Sequence, residues 1–328
     1  MFHRPKLLLP EAYLRDAVKT IRRAHTSVYL LTMIIYDDPS TEELFCAICD
    51  AARRGVHVQV VGDTFSYMER AIDYRPGVGV KAHFRPLTRL KRRIIASGGS
   101  FHWLGNHATT VLTSRTHSKW LVVDDIVYSF GGTNLYPASF SNIDYMIKIK
   151  DVGLATHLIA EQKRILSADR QGHAYRSHKF GDDNNLVLVD GGFVGDSIIY
   201  RHASRLAEKA REITYVSQYC PTGRLARILR AKPTLFYYNP ASSARGFNAL
   251  AIKIGAALSG IHTLYTRDAY LHAKCMIFTM PDGEKVALTG SHNFPHGGVW
   301  MGTREIALET RDQRIVKQLE TFVARHVA

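Results

Sequence analysis

The chain has 328 residues, 46% hydrophobic and 22% charged, a balance that fits a soluble globular protein and excludes a disordered or fibrous chain. Its 43 lysines and arginines against 29 aspartates and glutamates leave a formal net charge of +14, which points to a polyanionic partner, either nucleic acid or an anionic membrane surface. Apolar runs such as Val28–Ile35 fall far short of the roughly 18–20 residues of a spanning helix, and Cys46, Cys49, Cys220 and Cys275 form no secreted disulfide pattern, so reduced thiols in the cytoplasm are expected.

In chain order, Met1–Pro10 starts basic and turns apolar, but Pro10 cuts it too short to read as a signal peptide. Glu11–His25 spaces Leu14, Val18 and Ile21 as a helix does, and Ser27–Tyr36 is β-branched and aromatic enough for a buried strand. Thr41–Arg54 reads as a helix ended by Gly55, and Val56–Val61 as a strand. Cys46 and Cys49 fall on that helix beside Leu44, Phe45 and Ile48. They read as packing residues, since no second cysteine pair completes a zinc site. Asp63 closes the strand and reads as a loop cap before it reads as a ligand for a substrate hydroxyl. Arg89, Lys91, Arg92 and Arg93, followed by Phe101 and Trp103, suit a membrane-interface loop and equally a solvated basic loop with aromatics packed beneath it.

Thr116–Val123 alternates like a strand, which would put His117 and Lys119 on one face, roughly 6.6 Å apart along the axis. The tight turn Gly131-Gly132-Thr133-Asn134 follows, allowing close approach of a ligand. The polar stretch Ser167–Asn185 reads as a linker, dividing the chain into lobes 1–170 and 171–328.

The second lobe repeats the plan of the first. Ser197–Arg211 reads as a helix, Glu212–Tyr219 as a strand, Gly223–Ala231 as a helix and Thr234–Tyr238 as a strand. Asn248–Ile261, rich in Ala, Ile and Leu, reads as a core-packing helix before a membrane-surface one. Then come His272-Ala273-Lys274 and Gly290-Ser291-His292-Asn293. The alternation argues an α/β fold with mainly parallel, mixed sheets flanked by helices. With 16 histidines in the chain, one His-x-Lys triplet would be chance. Two of them, each followed by a Gly-rich Asn turn in matching halves, argue internal duplication. Two imidazoles, two ammonium groups and two amides around one point suit a phosphodiester.

His117-x-Lys119, Asp124, Gly131, Gly132 and Asn134 at their fixed spacing resemble the signature of the phospholipase D superfamily, and His272-x-Lys274 with Gly290, Ser291 and Asn293 resembles its second copy. The form Gly-Gly-x-Asn and the run Leu271-His272-Ala273-Lys274 are most similar to the cardiolipin synthase and bacterial phospholipase D branch. The second copy departs from the pattern. Thr279 stands where the motif Asp belongs, and a few extra residues around Asp282-Gly283 read as a hairpin turn.

The resemblance implies two lobes related by a pseudo-twofold axis, with one active site at their interface. It implies His117 as nucleophile and His272 as general acid, with the reverse assignment open, and Lys119, Lys274, Asn134 and Asn293 as donors to the phosphate. Glu305 would orient His117 and Asp144 would orient His272, across the halves, while Asp124, Gly131, Gly132, Gly290 and Ser291 support the motifs. It implies no metal and no cofactor. The expected activity is phosphatidyl transfer or phospholipid hydrolysis through a phosphohistidine, in peripheral contact with an anionic membrane, with a monomer sufficient for one site. The alternative is a metal-independent nuclease acting on nucleic acid.

Overall fold

The computed structural model describes residues 2–72, 80–107, 113–244 and 246–328. In the first half, the described elements are β1 (His3–Leu8), α1 (Pro10–Arg22), β2 (Ser27–Thr32), α2 (Glu42–Arg53), β3 (His57–Asp63), α3 (Phe65–Ile72), α4 (Val80–Ala96), β4 (Ser100–Leu104), β5 (Trp120–Val123), β6 (Ile126–Ser129), α5 (Pro137–Phe140), β7 (Met146–Lys150) and α6 (Val152–Arg170). The second half supplies β8 (His178–Gly181), β9 (Asn185–Gly191), α7 (Ile198–Lys209), β10 (Glu212–Val216), α8 (Gly223–Arg230), β11 (Thr234–Tyr237), α9 (Gly246–Ser259), β12 (Cys275–Thr279), β13 (Lys285–Gly290), α10 (His296–Met301), β14 (Arg304–Thr310) and α11 (Gln313–Phe322).

The strands form two mixed seven-stranded sheets, ordered β1-β7-β6-β5-β2-β3-β4 and β11-β10-β12-β13-β14-β9-β8, with helices packed on them. Helix α1 starts on Pro10, whose missing N–H costs nothing at a first turn, and buries Tyr13, Ala17, Val18 and Ile21 along one stripe. Strand β2 is buried along its whole length because β3 and β5 flank it and helices cover it.

The sheets are not mainly parallel. Only β2–β3, β3–β4 and β10–β11 pair in parallel, while the other described neighbours run antiparallel. The helix-strand alternation ends before each motif. After it, short turns at Asp124-Asp125 and at Pro281–Glu284 fold the chain into hairpins β5–β6 and β12–β13, and such turns can join only antiparallel strands.

Three local expectations also change. His117 and Lys119 precede β5 and are not strand residues, because their segment leaves the first sheet to meet the second. Arg89–Arg93 lie on helix α4, with Arg89 and Arg93 paired to the buried Asp37, so this stretch is not a loop. The proposed linker contains the end of α6 and strand β8, which pairs with β9.

A continuous core joins the sheets. Trp120, Tyr145 and Ile147 of one sheet share it with Val187, Cys275, Ala287, Ile306 and Leu308 of the other. Tyr145 meets Thr289 through a 2.5 Å hydroxyl contact and stacks edge-on against Phe322 at 4.8 Å between centroids. The polar motifs sit on this seam.

Candidate active site

The two His-x-Lys segments are each held by the opposite half. The main-chain N–H groups of His117 and Ser118 donate to the carbonyl of Arg304 at 2.8 and 3.0 Å, and Arg304 N–H returns a bond to Arg115. The N–H groups of His272 and Ala273 donate to the carbonyl of Ile143, both at 2.9 Å, and Ile143 N–H donates to Tyr270. Each carbonyl that receives the pair belongs to the residue just before an acid. Those acids, Glu305 and Asp144, therefore arrive beside the imidazoles: His117 Nδ1 lies 3.0 Å from Glu305 Oε2, and His272 Nδ1 lies 2.7 Å from Asp144 Oδ2. In both pairs Nδ1 is the proton-bearing nitrogen, since an ionised carboxylate only accepts, and Nε2 is left for chemistry.

The glycines explain how the acids come so close. A Cβ on Gly131 would lie 1.8 Å from the Tyr145 carbonyl oxygen, and one on Gly290 would lie 2.2 Å from that of Ile306. Tyr145 and Ile306 each follow an orienting acid, so each turn lies flat on the same feature of its own copy. The next position differs between copies. Gly132 N–H donates to Asp144 Oδ1 at 3.1 Å, whereas Ser291 offers its hydroxyl to Glu305 Oε2.

Asp124 stays outside this centre. Its carboxylate accepts the N–H groups of His25, Thr26 and Ser27 at 2.8–2.9 Å and pins the β5–β6 turn to the start of β2. In the second copy the Thr279 carbonyl accepts from Arg211 N–H at 2.8 Å beside the start of β10, so a backbone bond stands where the carboxylate is missing.

The lysines are buried, and each donates Nζ to the carbonyl of its own histidine: Lys119 to His117 at 2.6 Å, and Lys274 to His272. Burial lowers Lys119 to about 8 and Lys274 to about 7, against the pull of Asp144 and Glu305. Burial also lowers both imidazoles, His272 to about 4, and the lysine of the opposite motif adds to this in each case: Lys274 acts on His117 and Lys119 on His272. The two motifs thus lie in one electrostatic field. Burial works to raise Glu305, but His117, together with His292 and the Ser291 hydroxyl, holds it down to about 2.

Asn134 accepts at Oδ1 from Ile34 N–H and from the Thr32 hydroxyl at 3.2 and 3.3 Å, which leaves its amide hydrogens for a ligand. Asn293 is held by its backbone carbonyl, which accepts from Ser217 at 2.8 Å, and its Oδ1 has no partner among the described residues. A cavity of about 590 Å³ opens beside His117, Asn293 and Glu305. Leu250, Ala251, Ile254, Gly255 and Leu258 of α9 line it, with Met301 of α10 on another side.

Several contributors were not singled out from sequence. Arg115 pairs with Asp63 at 2.5 Å, and Asp63 also accepts Thr116 N–H at 3.0 Å, so this clasp fixes the approach to His117. Asp63 is thus a support within the fold and more than a simple loop cap. His292 accepts Phe294 N–H at Nδ1 and lines the cavity. Asp190, raised to about 7 by burial, receives the Ser197 hydroxyl and feels Glu305. Only His292, within the second Asn turn, carried a signal that could have been read earlier.

Residues 17–166 match the family described as "Cardiolipin synthase, PLD-like domain". Residues 17–166 thus carry a phospholipase D-like domain. Its fold is similar to that of phosphatidylserine synthase from Haemophilus influenzae Rd KW20, with a TM-score of 0.71 at 14% identity over 100% of this chain and 88% of that one. It is also similar to polyphosphate kinase from Porphyromonas gingivalis, at 0.62 and 12% identity over 97% of this chain and 46% of that one. No curated protein sequence matches. The family match ends before the second His-x-Lys, which is joined to the matched segment by the backbone bonds of His272 and Ala273 to Ile143. Among the described residues no helix is long and apolar enough to cross a membrane.

Proposed function

We propose that this phosphodiester-acting enzyme works on phospholipids, transferring a phosphatidyl group to an alcohol or to water through a phosphohistidine. The observation that carries this reading is the apolar cavity that adjoins His117 and Asn293. A site for phosphate beside a trough of Leu, Ile and Met suits a molecule with a charged head and acyl chains.

In the first step His117 Nε2 gives its lone pair to phosphorus, the bond from phosphorus to the leaving oxygen breaks, and His272 gives that oxygen its Nε2 proton. In the second step the acceptor hydroxyl attacks phosphorus and returns a proton to His272, and the electrons of the N–P bond go back to His117. Glu305 and Asp144 keep both rings in the required tautomer and orientation. Lys119, Lys274, Asn134 and Asn293 meet charge growing on the non-bridging oxygens. The bound anion supplies the negative charge that favours protonated His272 and charged lysines. Exchanging the two histidine roles leaves the same chemistry, because the copies are quasi-symmetric. The same reading places the protein in the cytoplasm in peripheral contact with a membrane, where a single chain suffices for one site.

The test is incubation of the purified protein with phosphatidylglycerol vesicles and, separately, with single-stranded DNA, both in EDTA. Cardiolipin with glycerol would identify transfer, and phosphatidic acid hydrolysis. Cleaved DNA with untouched lipid would replace this reading by the nuclease one.

A further inference from the structure

Helix α9 buries Ile252 and Ser259 but leaves Leu250, Ile254 and Leu258 exposed at 53%, 48% and 77%. Residues four apart share a helix face, so these three form one apolar ridge. Leu264 beyond the helix is 52% exposed, and Trp300 and Met301 at the end of α10 are 64% and 50% exposed. Six large apolar side chains on and beside two helices exceed the scattered surface leucines of an ordinary soluble face.

The cavity beside His117 links the two helices. Leu250, Ile254 and Leu258 line it from α9, and Met301 lines it from α10. The exposed apolar surface and the candidate catalytic pocket are therefore continuous. Cations adjoin the patch. Helix α8 packs against both α9 and α10 and exposes Arg227 and Arg230, and Lys253 is exposed on α9. None of these three has a carboxylate partner among the described residues. Arg230 reaches the C-terminal end of α9, its Nη1 lying 3.9 Å from where a Cβ on Gly260 would stand.

We infer that the face built by α9 and α10 docks on an anionic lipid bilayer, with Leu250, Ile254, Leu258, Leu264, Trp300 and Met301 entering the interface and Arg227, Arg230 and Lys253 meeting headgroups. The cavity is then the route by which acyl chains stay near the lipid while the phosphate reaches His117. Apolar groups flanked by unpaired cations match a bilayer whose surface is charged and whose interior is not. Each basic side chain near such a surface adds attraction that salt screens. The acyl route rests on the lipid reading of the site; the docking face does not.

Vesicle co-sedimentation tests the face without turnover. The His117→Ala protein is mixed with vesicles of 30% phosphatidylglycerol in phosphatidylcholine, and with phosphatidylcholine alone. Binding is expected to the anionic vesicles, weakening with salt, and to fall at least tenfold on Leu258→Glu with Trp300→Glu. Val152→Glu, at a residue 67% exposed on α6, is expected to change nothing. Trp300 emission in the His117→Ala protein is expected to shift to the blue on vesicle addition. The proposal is overturned if this protein ignores anionic vesicles, if the double variant binds as well, or if the patch variants instead dissociate a dimer of the chain. Vesicle binding by the unsubstituted protein without any lipid product would leave the docking face standing and remove the lipid reading of the catalytic site.

Discussion

Replacing Lys274 by methionine separates what the site costs from what it does. The side chain is fully buried and donates to the His272 carbonyl. Burial takes it from 10.5 down to about 7. At about 1.4 kcal/mol per tenfold, the fold resists the charged lysine by roughly 5 kcal/mol. Methionine fills nearly the same space without charge. The carbonyl left without a donor takes back about 1–2 kcal/mol, so a net stabilisation of about 3 kcal/mol is expected.

The sign with pH is fixed. Between pH 7 and 10.5 the unfolded lysine holds a proton that the folded one has lost, so this group makes wild-type stability rise with pH over that window. The advantage of Lys274→Met is therefore fully present below about pH 7 and fades toward pH 10.5. Urea unfolding followed by the fluorescence of the buried Trp120, at pH 6 and pH 10, measures it, with turnover assayed alongside and expected to be lost. A variant less stable than wild type at pH 6, or one with the same gain at both pH values, would refute the reasoning.

Gly131→Ala is expected to abolish folding, because its Cβ would meet a backbone oxygen at 1.8 Å, whereas Gly132→Ala meets Asp144 Oδ2 at 2.7 Å and both Nδ1 and the carbonyl oxygen of His272 at 2.9 Å and should fold with reduced stability while losing turnover; thermal melts by circular dichroism with an activity assay check both. In the free enzyme kcat/KM should decline as pH rises through about 4, where His272 loses the proton it must give, and more steeply between about pH 7 and 8, as Lys274 and then Lys119 lose theirs, and it should also fall at low pH as the neutral nucleophile is protonated; a profile flat to pH 9 would contradict this. Glu305→Gln keeps an acceptor for His117 but removes the charge, so a loss on the order of 10²-fold in kcat with little change in KM is expected from steady-state kinetics.

What could be read from the sequence was local. The stripe of α1, the buried β2 and the Asp-Gly hairpin between β12 and β13 follow from side-chain periodicity and turn chemistry, which neighbouring residues settle. Strand direction is not legible in this way, since the alternation of helix and strand stops where the hairpins begin and no local pattern announces it. The His-x-Lys segments looked like strand because alternation cannot distinguish a strand from an extended segment that pairs at a single point with another sheet. The Asp63–Arg115 clasp and the unpartnered face of α9 depend on contacts between distant segments. Asn248–Ile261 read as a packing helix because its composition is apolar, and composition alone does not say which face stays uncovered.

The central claim is that both motifs serve one phosphorus atom, with His117 as the attacking base. It is tested most directly in the His272→Ala protein, using a phosphatidyl ester of p-nitrophenol, whose leaving group needs no proton. After a base quench, peptide mass spectrometry should find one phosphatidyl group per chain, on residue 117. An adduct on any other residue, or release of p-nitrophenol without any adduct, would contradict it.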